Sequence, residues 1–190
     1  MFILASQSPR RQQLLKEIVP DFSVVVSEVD EEKIIPSTDP FRLPIEESLL
    51  KAKAVAKDHS DDEILACDTV VLLDGHPLGK PKNRAEAIQM LRNQSGKEQL
   101  VISGYTHIFR GKIHTGYDVT TVYFNELSDE LIERYIDECQ PFDKAGAYGI
   151  QDEYGLIKKI EGSYSNVMGL PLEKLREDLS RFREEGSIDR

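Results

Sequence analysis

The opening stretch of the chain limits its fold more than any other. Phe2 to Ala5 is an apolar, strand-like run that breaks off into Ser6-Gln7-Ser8-Pro9-Arg10-Arg11. Ser8 suits a helix N-cap and Pro9 the first helical position, and Leu14, Leu15 and Ile18 then recur at helical spacing. The sequence therefore predicts strand, tight loop, helix, with the helix N-terminus facing the loop.

Strand and helix signals keep mixing downstream. Phe22 to Val26 reads as a strand, Pro36 to Pro44 as a turn-rich linker, and Ile45 to Lys57 as a helix with Ile45, Leu49, Ala52 and Ala56 on one face. Ile64 to Leu73 is an apolar strand interrupted by Asp68-Thr69, followed by the turn signal Asp74-Gly75. Asn83 caps a helix, with Glu86 three residues on. Leu100 to Phe109 and Ile113 to Phe124 read as an antiparallel hairpin. Ser128 caps a further helix, Pro141 to Gln151 is glycine-rich, and Ile157 to Ile160 is a short strand. Gly162 to Pro171 reads as a loop before a last helix carrying Leu172, Leu175, Leu179 and Phe182. Parallel and antiparallel signals together imply an α/β fold, a mixed sheet flanked by helices.

Bulk properties remove several functions. At 190 residues the chain can bury a real core. Its formal net charge of −10 argues against a sequence-independent grip on nucleic acid. No apolar run approaches the roughly 20 residues of a membrane span, and the N-terminus lacks the basic n-region of a signal peptide. Cys67 and Cys139 form no disulfide framework, so a reduced, cytoplasmic protein is expected. His59, His76, His107 and His114 show no zinc spacing.

Five places hold residue types suited to chemistry. Hydroxyls and two arginines at a helix N-terminus, Ser6 to Arg11, make an anion site, though an ordinary capped helix has the same look. Asp68 stands inside an apolar strand run, where a carboxylate is costly unless paired or bound to a cation; oxygen ligands of this kind suit Mg²⁺. The alternative is a strand that surfaces there, with Cys67 a packed neighbour. Gly79-Lys80-Pro81-Lys82 puts cations in a strand-to-helix loop, without the spacing of a P-loop. Asp143 to Gln151 has small residues that let a backbone approach a ligand, and Gln151 can both donate to and accept from a base edge. A tight turn accounts for the same residues. The acidic run Glu28 to Glu32 and Lys51 read most simply as a solvated turn and a snorkelling side chain.

In this order and spacing the blocks resemble the Maf family of nucleoside-triphosphate pyrophosphatases. The matching stretches are Leu4 to Arg11, Asp68-Thr69-Val70-Val71, Leu78-Gly79-Lys80-Pro81, Asp143 to Gln151, and Gly162-Ser163-Tyr164 onward to Gly169-Leu170-Pro171. The resemblance implies one Maf-like domain over residues 1–190, with an ITPase-like α/β fold: a curved mixed sheet and a cleft between two lobes. It implies a homodimer that hydrolyses a nucleoside triphosphate to the monophosphate and pyrophosphate, with no nucleic-acid or membrane partner. By that likeness Ser6, Arg10, Arg11, Lys51 and Lys80 hold phosphates. Asp68 is the catalytic carboxylate, and Glu31 joins it at a divalent cation, Mg²⁺ or Mn²⁺. Thr69 and Gln151 place the chain on the branch acting on dTTP and UTP. Asp152 departs from the small residue the family often has after Gln151, and puts a negative charge near the base site.

The residues suggest a mechanism on this likeness. Asp68 orients or deprotonates the water that attacks the α-phosphorus, and the cations stabilise the departing pyrophosphate. Two other readings compete. Members of the family are linked to arrest of septum formation, which would make the chain an interaction protein acting on a division partner; a phosphatase would release orthophosphate instead of pyrophosphate.

Overall fold

In the computed structural model, which describes residues 1–27, 29 and 39–188, the apolar runs become the strands of one seven-stranded mixed sheet. The strands are β1 (Phe2–Leu4), β2 (Ser23–Val24), β3 (Glu63–Leu73), β4 (His76–Leu78), β5 (Glu98–Phe109), β6 (Lys112–Phe124) and β7 (Ile157–Glu161). Their order is β2-β1-β3-β5-β6-β7, and β4 pairs with β3. β1 runs parallel to both β2 and β3, while all pairings from β3 onward are antiparallel. The helices are α1 (Pro9–Leu15), α2 (Leu43–Ala56), α3 (Arg84–Gln94), α4 (Asp129–Cys139), α5 (Tyr164–Met168) and α6 (Leu172–Ile188).

Period-two alternation along β3 sorts the core. Ile64 and Ala66 face α2, where they pack with Ala52 and Val55. Leu65 and Cys67 face the other way, onto Leu14 and Leu15 of α1 and Leu172, Leu175 and Leu179 of α6. Farther along the strand, Val71 joins Val101, Val122 and Phe124 under Ala87 and Leu91 of α3 and Ile132, Tyr135 and Ile136 of α4. On the face turned away from α2, the sheet thus serves two hydrophobic groups, with α1 and α6 at one end and α3 and α4 at the other.

The local signals were mostly met. Ser8 caps α1, Asn83 caps α3 and Ser128 caps α4, each through its side chain. Three stretches differ from the sequence reading. α2 begins at Leu43, two residues before the expected start, because Pro44 falls in its first turn, where a missing N–H costs nothing. His76–Leu78 pairs with β3 despite Pro77, as a three-residue strand following the Asp74-Gly75 turn. The expected loop from Gly162 to Pro171 contains α5, capped by Ser163 and closed by Gly169 in the left-handed region.

The carboxyl-terminal helix is fastened to the sheet by aromatic and ionic contacts. Phe182 stacks on His114 with ring centroids 3.7 Å apart, and Tyr105 donates its hydroxyl proton to Asp178. Glu63 joins the buried His107 Nε2 at 2.8 Å and Arg183 at 3.0 Å. Burial pushes the Glu63 carboxyl up, but the bond to His107 and the charge of Arg183 outweigh it and hold it below the ordinary carboxylate range. A depressed carboxyl stabilises the fold above its unfolded pKa and loses that contribution as pH falls through the folded value. Glu63→Gln is therefore expected to lower Tm at pH 7 by several degrees, since about 1.5 kcal/mol at about 2–4 °C per kcal/mol is at stake. Melting curves at pH 7 and near pH 3 check this, with the gap to the parent closing at the lower pH.

Candidate active site

β1 ends at Leu4 opposite Leu65, and β4 joins β3 only at Val71. Between them, among the described residues, β3 has no strand partner on this side over residues 66–70. A cleft opens along that edge, beyond the carboxyl end of β1, where open α/β sheets hold their ligands. Because successive side chains point to opposite faces, Asp68 and Thr69 enter the cleft from the two sides of the strand.

On the Asp68 side the fold brings in α2. Asp68 is paired in register with Gly104 of β5. A Cβ at position 104 would lie 2.4 Å from the backbone N of Ile45, so only glycine lets the first turn of α2 come down onto the sheet here. That approach delivers Lys51, whose Nζ lies 2.8 Å from Asp68 Oδ1, both side chains being almost buried. Lys51 is thus an ion-pair partner and not a snorkelling side chain. Glu47, one helical turn earlier, donates a hydrogen bond from its carboxyl group to the Asp68 carboxylate and also lines the cleft. Burial pushes the Asp68 carboxyl up, but the Glu47 hydrogen bond and the charges of Lys51 and Arg11 prevail and hold it below its ordinary range. The strand does not emerge onto the outer surface at Asp68; the nearly buried carboxylate is compensated.

On the other side Arg11 is fixed at each guanidinium nitrogen. Nε donates to Gly169 O at 2.7 Å, one terminal nitrogen to Ser6 Oγ at 3.4 Å and the other to Thr69 Oγ1 at 3.0 Å. The guanidinium also lies against the Cys67 thiol. Ser103 Oγ donates to Asn166 O at 3.0 Å and lies 2.8 Å from Thr69 Oγ1. Its single proton is used there, so Thr69 must donate to Ser103. The Thr69 hydroxyl therefore only accepts toward Arg11 and the cleft, and its evident work is to orient the guanidinium. Cys67, beside these groups, is fully buried. Burial pushes its thiol up to about 11, which leaves it a packed, unreactive residue.

The cleft, of about 1110 Å³, is lined by Ser6, Arg10, Arg11, Lys51, Asp68, Thr69, Lys80 and Gln151. All the proposed site residues within the described part thus share one wall or another of it; Glu31, with most of the acidic run around it, lies outside the described residues. The lining holds Arg10, Arg11, Lys51, Lys80 and Lys144 against Glu47, Asp68 and Asp143. Among the described residues, a protein of net charge −10 therefore has a cleft lining with a cationic excess, suited to a polyanion. Asp152, whose charge was expected near the base site, is not part of the lining. Its Oδ2 accepts from the Tyr135 hydroxyl at 2.7 Å.

This chain matches the family described as Maf-like protein over residues 1–182. It belongs to that family. Its relatives include proteins named dTTP/UTP pyrophosphatase. That of Thermosipho africanus is 49% identical over 91% of this chain and 88% of its own. That of Carboxydothermus hydrogenoformans is 45% identical, covering 94% and 97%, and that of Bacillus mycoides 44%, covering 95% and 94%. Among solved structures, a HAM1 protein from Coxiella burnetii superposes with a TM-score of 0.53 at 17% identity, over 95% of this chain and 98% of that one. At that identity the likeness is one of fold, and the Maf-like chain has the ITPase-like architecture that its sequence led one to expect.

Three residues of this Maf-like site were not legible in the sequence. Glu47 is one of two adjacent acids on α2 and Ser103 one polar residue in a strand, and neither stood out. Lys144 stood inside a recognised block but without a role. Helical spacing from Lys51 is the only signal that pointed to Glu47, and it required knowing that Lys51 faces Asp68.

Proposed function

We propose that this protein hydrolyses dTTP and UTP to the nucleoside monophosphate and pyrophosphate. The observation that carries the reading is the convergence of Arg10, Arg11, Lys51 and Lys80 with the nearly buried Asp68 on one cleft. Its relatives' names supply the substrate class. In this reading Arg10, Arg11 and Lys80 hold the phosphate chain, Ser6 and Thr69 hold Arg11, and Gln151, exposed in the cleft wall, meets the base. Water attacks the α-phosphorus, the bond to the bridging oxygen breaks, and the pyrophosphate leaves against the cationic wall. Asp68, kept ionised by its neighbours, orients that water and takes its proton.

The donor set fits a hard divalent ion such as Mg²⁺ or Mn²⁺. Asp68 and Glu47 offer carboxyl oxygens at the cleft, and Glu31 is a further candidate from outside the described residues. No group of three or more His, Cys, Asp or Glu side chains gathers among the described residues. That is consistent with an ion which takes its remaining ligands from phosphate and water. When bound, the ion supplies neutralisation of the phosphate charge. The reading includes a homodimer in the cytoplasm, by family likeness; no helix among the described residues is long and apolar enough to cross a membrane.

The test is product analysis on a panel of nucleoside triphosphates with Mg²⁺ or Mn²⁺. Pyrophosphate plus dTMP or UMP is expected, with dTTP and UTP turned over faster than purine nucleotides. Orthophosphate plus diphosphate would overturn the reading.

A further inference from the structure

Gln151 stands in the cleft wall on a stretch of chain with no regular structure of its own beyond one 3₁₀ turn, Ala145–Ala147. Something must hold that stretch, and the hydrogen bonds identify it. The upstream half is tied by a buried chain of amides: Gln94 Nε2 donates to Gly146 O at 2.7 Å, Gln99 Nε2 to Gln94 Oε1 at 2.5 Å, and the Tyr148 hydroxyl to Gln99 Oε1 at 3.0 Å. The downstream half, which carries Gln151, is tied differently. Gly149 N donates to the Tyr135 hydroxyl at 2.9 Å, and that hydroxyl donates to Asp152 Oδ2 at 2.7 Å. Asp152 N in turn donates to Gly149 O at 3.1 Å.

We propose that the Tyr135 hydroxyl and the Asp152 carboxylate form a latch that sets the position of Gln151, which makes both of them positioning residues for base selectivity. The proposal rests on the reading of Gln151 as the residue that meets the base. The direction of every bond in the latch is fixed, because an amide N–H only donates and a carboxylate only accepts. Tyr135 is fully buried on α4, so its hydroxyl has no water to turn to. The latch closes around Gly149 to Asp152 and leaves the Gln151 backbone little freedom between its ends. Position 149 is coupled to it as well, for a Cβ there would lie 2.7 Å from Asp152 Oδ2. The carboxylate occupies the place that a side chain at 149 would need. Burial first, and then the hydrogen bond to Asp152, push the Tyr135 phenol up, so it remains a donor wherever the protein is folded.

The test compares the dTTP-to-GTP ratio of kcat/KM in the full-length parent with that in Tyr135→Phe, Asp152→Ala, Asp152→Asn and Gln151→Ala, alongside amide exchange at Gly149. Tyr135→Phe keeps the ring and its edge-to-face contact with Tyr154 but removes both bonds. We expect the ratio to fall by about 5- to 10-fold, the worth of a lost hydrogen bond or somewhat more, with the loss in KM for dTTP and faster exchange at Gly149. Asp152→Ala should behave alike. Asp152→Asn, which still offers an oxygen to the phenol, should stay within about two-fold of the parent. A parental ratio in Tyr135→Phe, with Gln151→Ala still shifting it, overturns the latch. Equal shifts in Asp152→Ala and Asp152→Asn also overturn it, since the carboxylate would then act by charge. A parental ratio in Gln151→Ala overturns the underlying reading, and the latch's bearing on selectivity falls with it.

Discussion

Asp68→Asn is expected to lower kcat by about 10³-fold or more, since removing a positioned general base alone typically costs about 10²–10⁴. The substitution also takes away a carboxylate suited to a divalent ion. The protein should nevertheless fold. Asparagine has the shape of aspartate and still offers an oxygen to Lys51. A destabilisation of about 1–2 kcal/mol, or about 2–8 °C in Tm, is the expected limit. Pyrophosphate release measured beside a thermal melt separates the two effects. Near-parental turnover in a folded variant would remove Asp68 from the chemistry. Loss of turnover together with loss of fold would show that the Lys51 pair is mainly structural, and Glu47→Gln would then be the variant to compare.

The sequence carried more of this site than of the fold that builds it. Ser6, Arg10 and Arg11 are neighbours along the chain, so cap chemistry pointed to them directly, and Asp68 was conspicuous because a charge breaks an apolar run. Lys51, by residue type alone, looked like a lysine on a helix edge that reaches for water, and only the family likeness put it in the site. Its burial follows from a close approach of α2 to β5, a tertiary event with no local signature. Asp152 posed a different problem. Beside Gln151 it read only as an added charge, and its pairing with a buried tyrosine 17 residues earlier has no local signature. Strand order was equally hidden. Nothing in the local pattern of Phe2 to Ala5 says that β1 stops opposite Leu65 and so leaves an edge of β3 open for a ligand.

That hidden approach of α2 makes the second large prediction. Gly104→Ala adds one methyl group facing backbone, not side chain: 2.4 Å from Ile45 N and 2.5 Å from the carbonyl carbon of Pro44. No rotamer change relieves such contacts, so α2 must lift from the sheet by about 1 Å, at a cost of about 1–3 kcal/mol in overpacking and strain. Tm should fall by about 2–4 °C for each kcal/mol. Activity should fall farther than stability. The helix that moves carries Lys51 and Glu47, and a displacement of about 1 Å in catalytic positioning can cost about 100-fold. Gly79→Ala is the control for stability, since its added carbon meets nothing within 4 Å. A Gly104→Ala protein with the parent's Tm and kcat/KM would mean that α2 does not need its close seat on β5. The ion pair between Lys51 and Asp68 would then have to form by some other route.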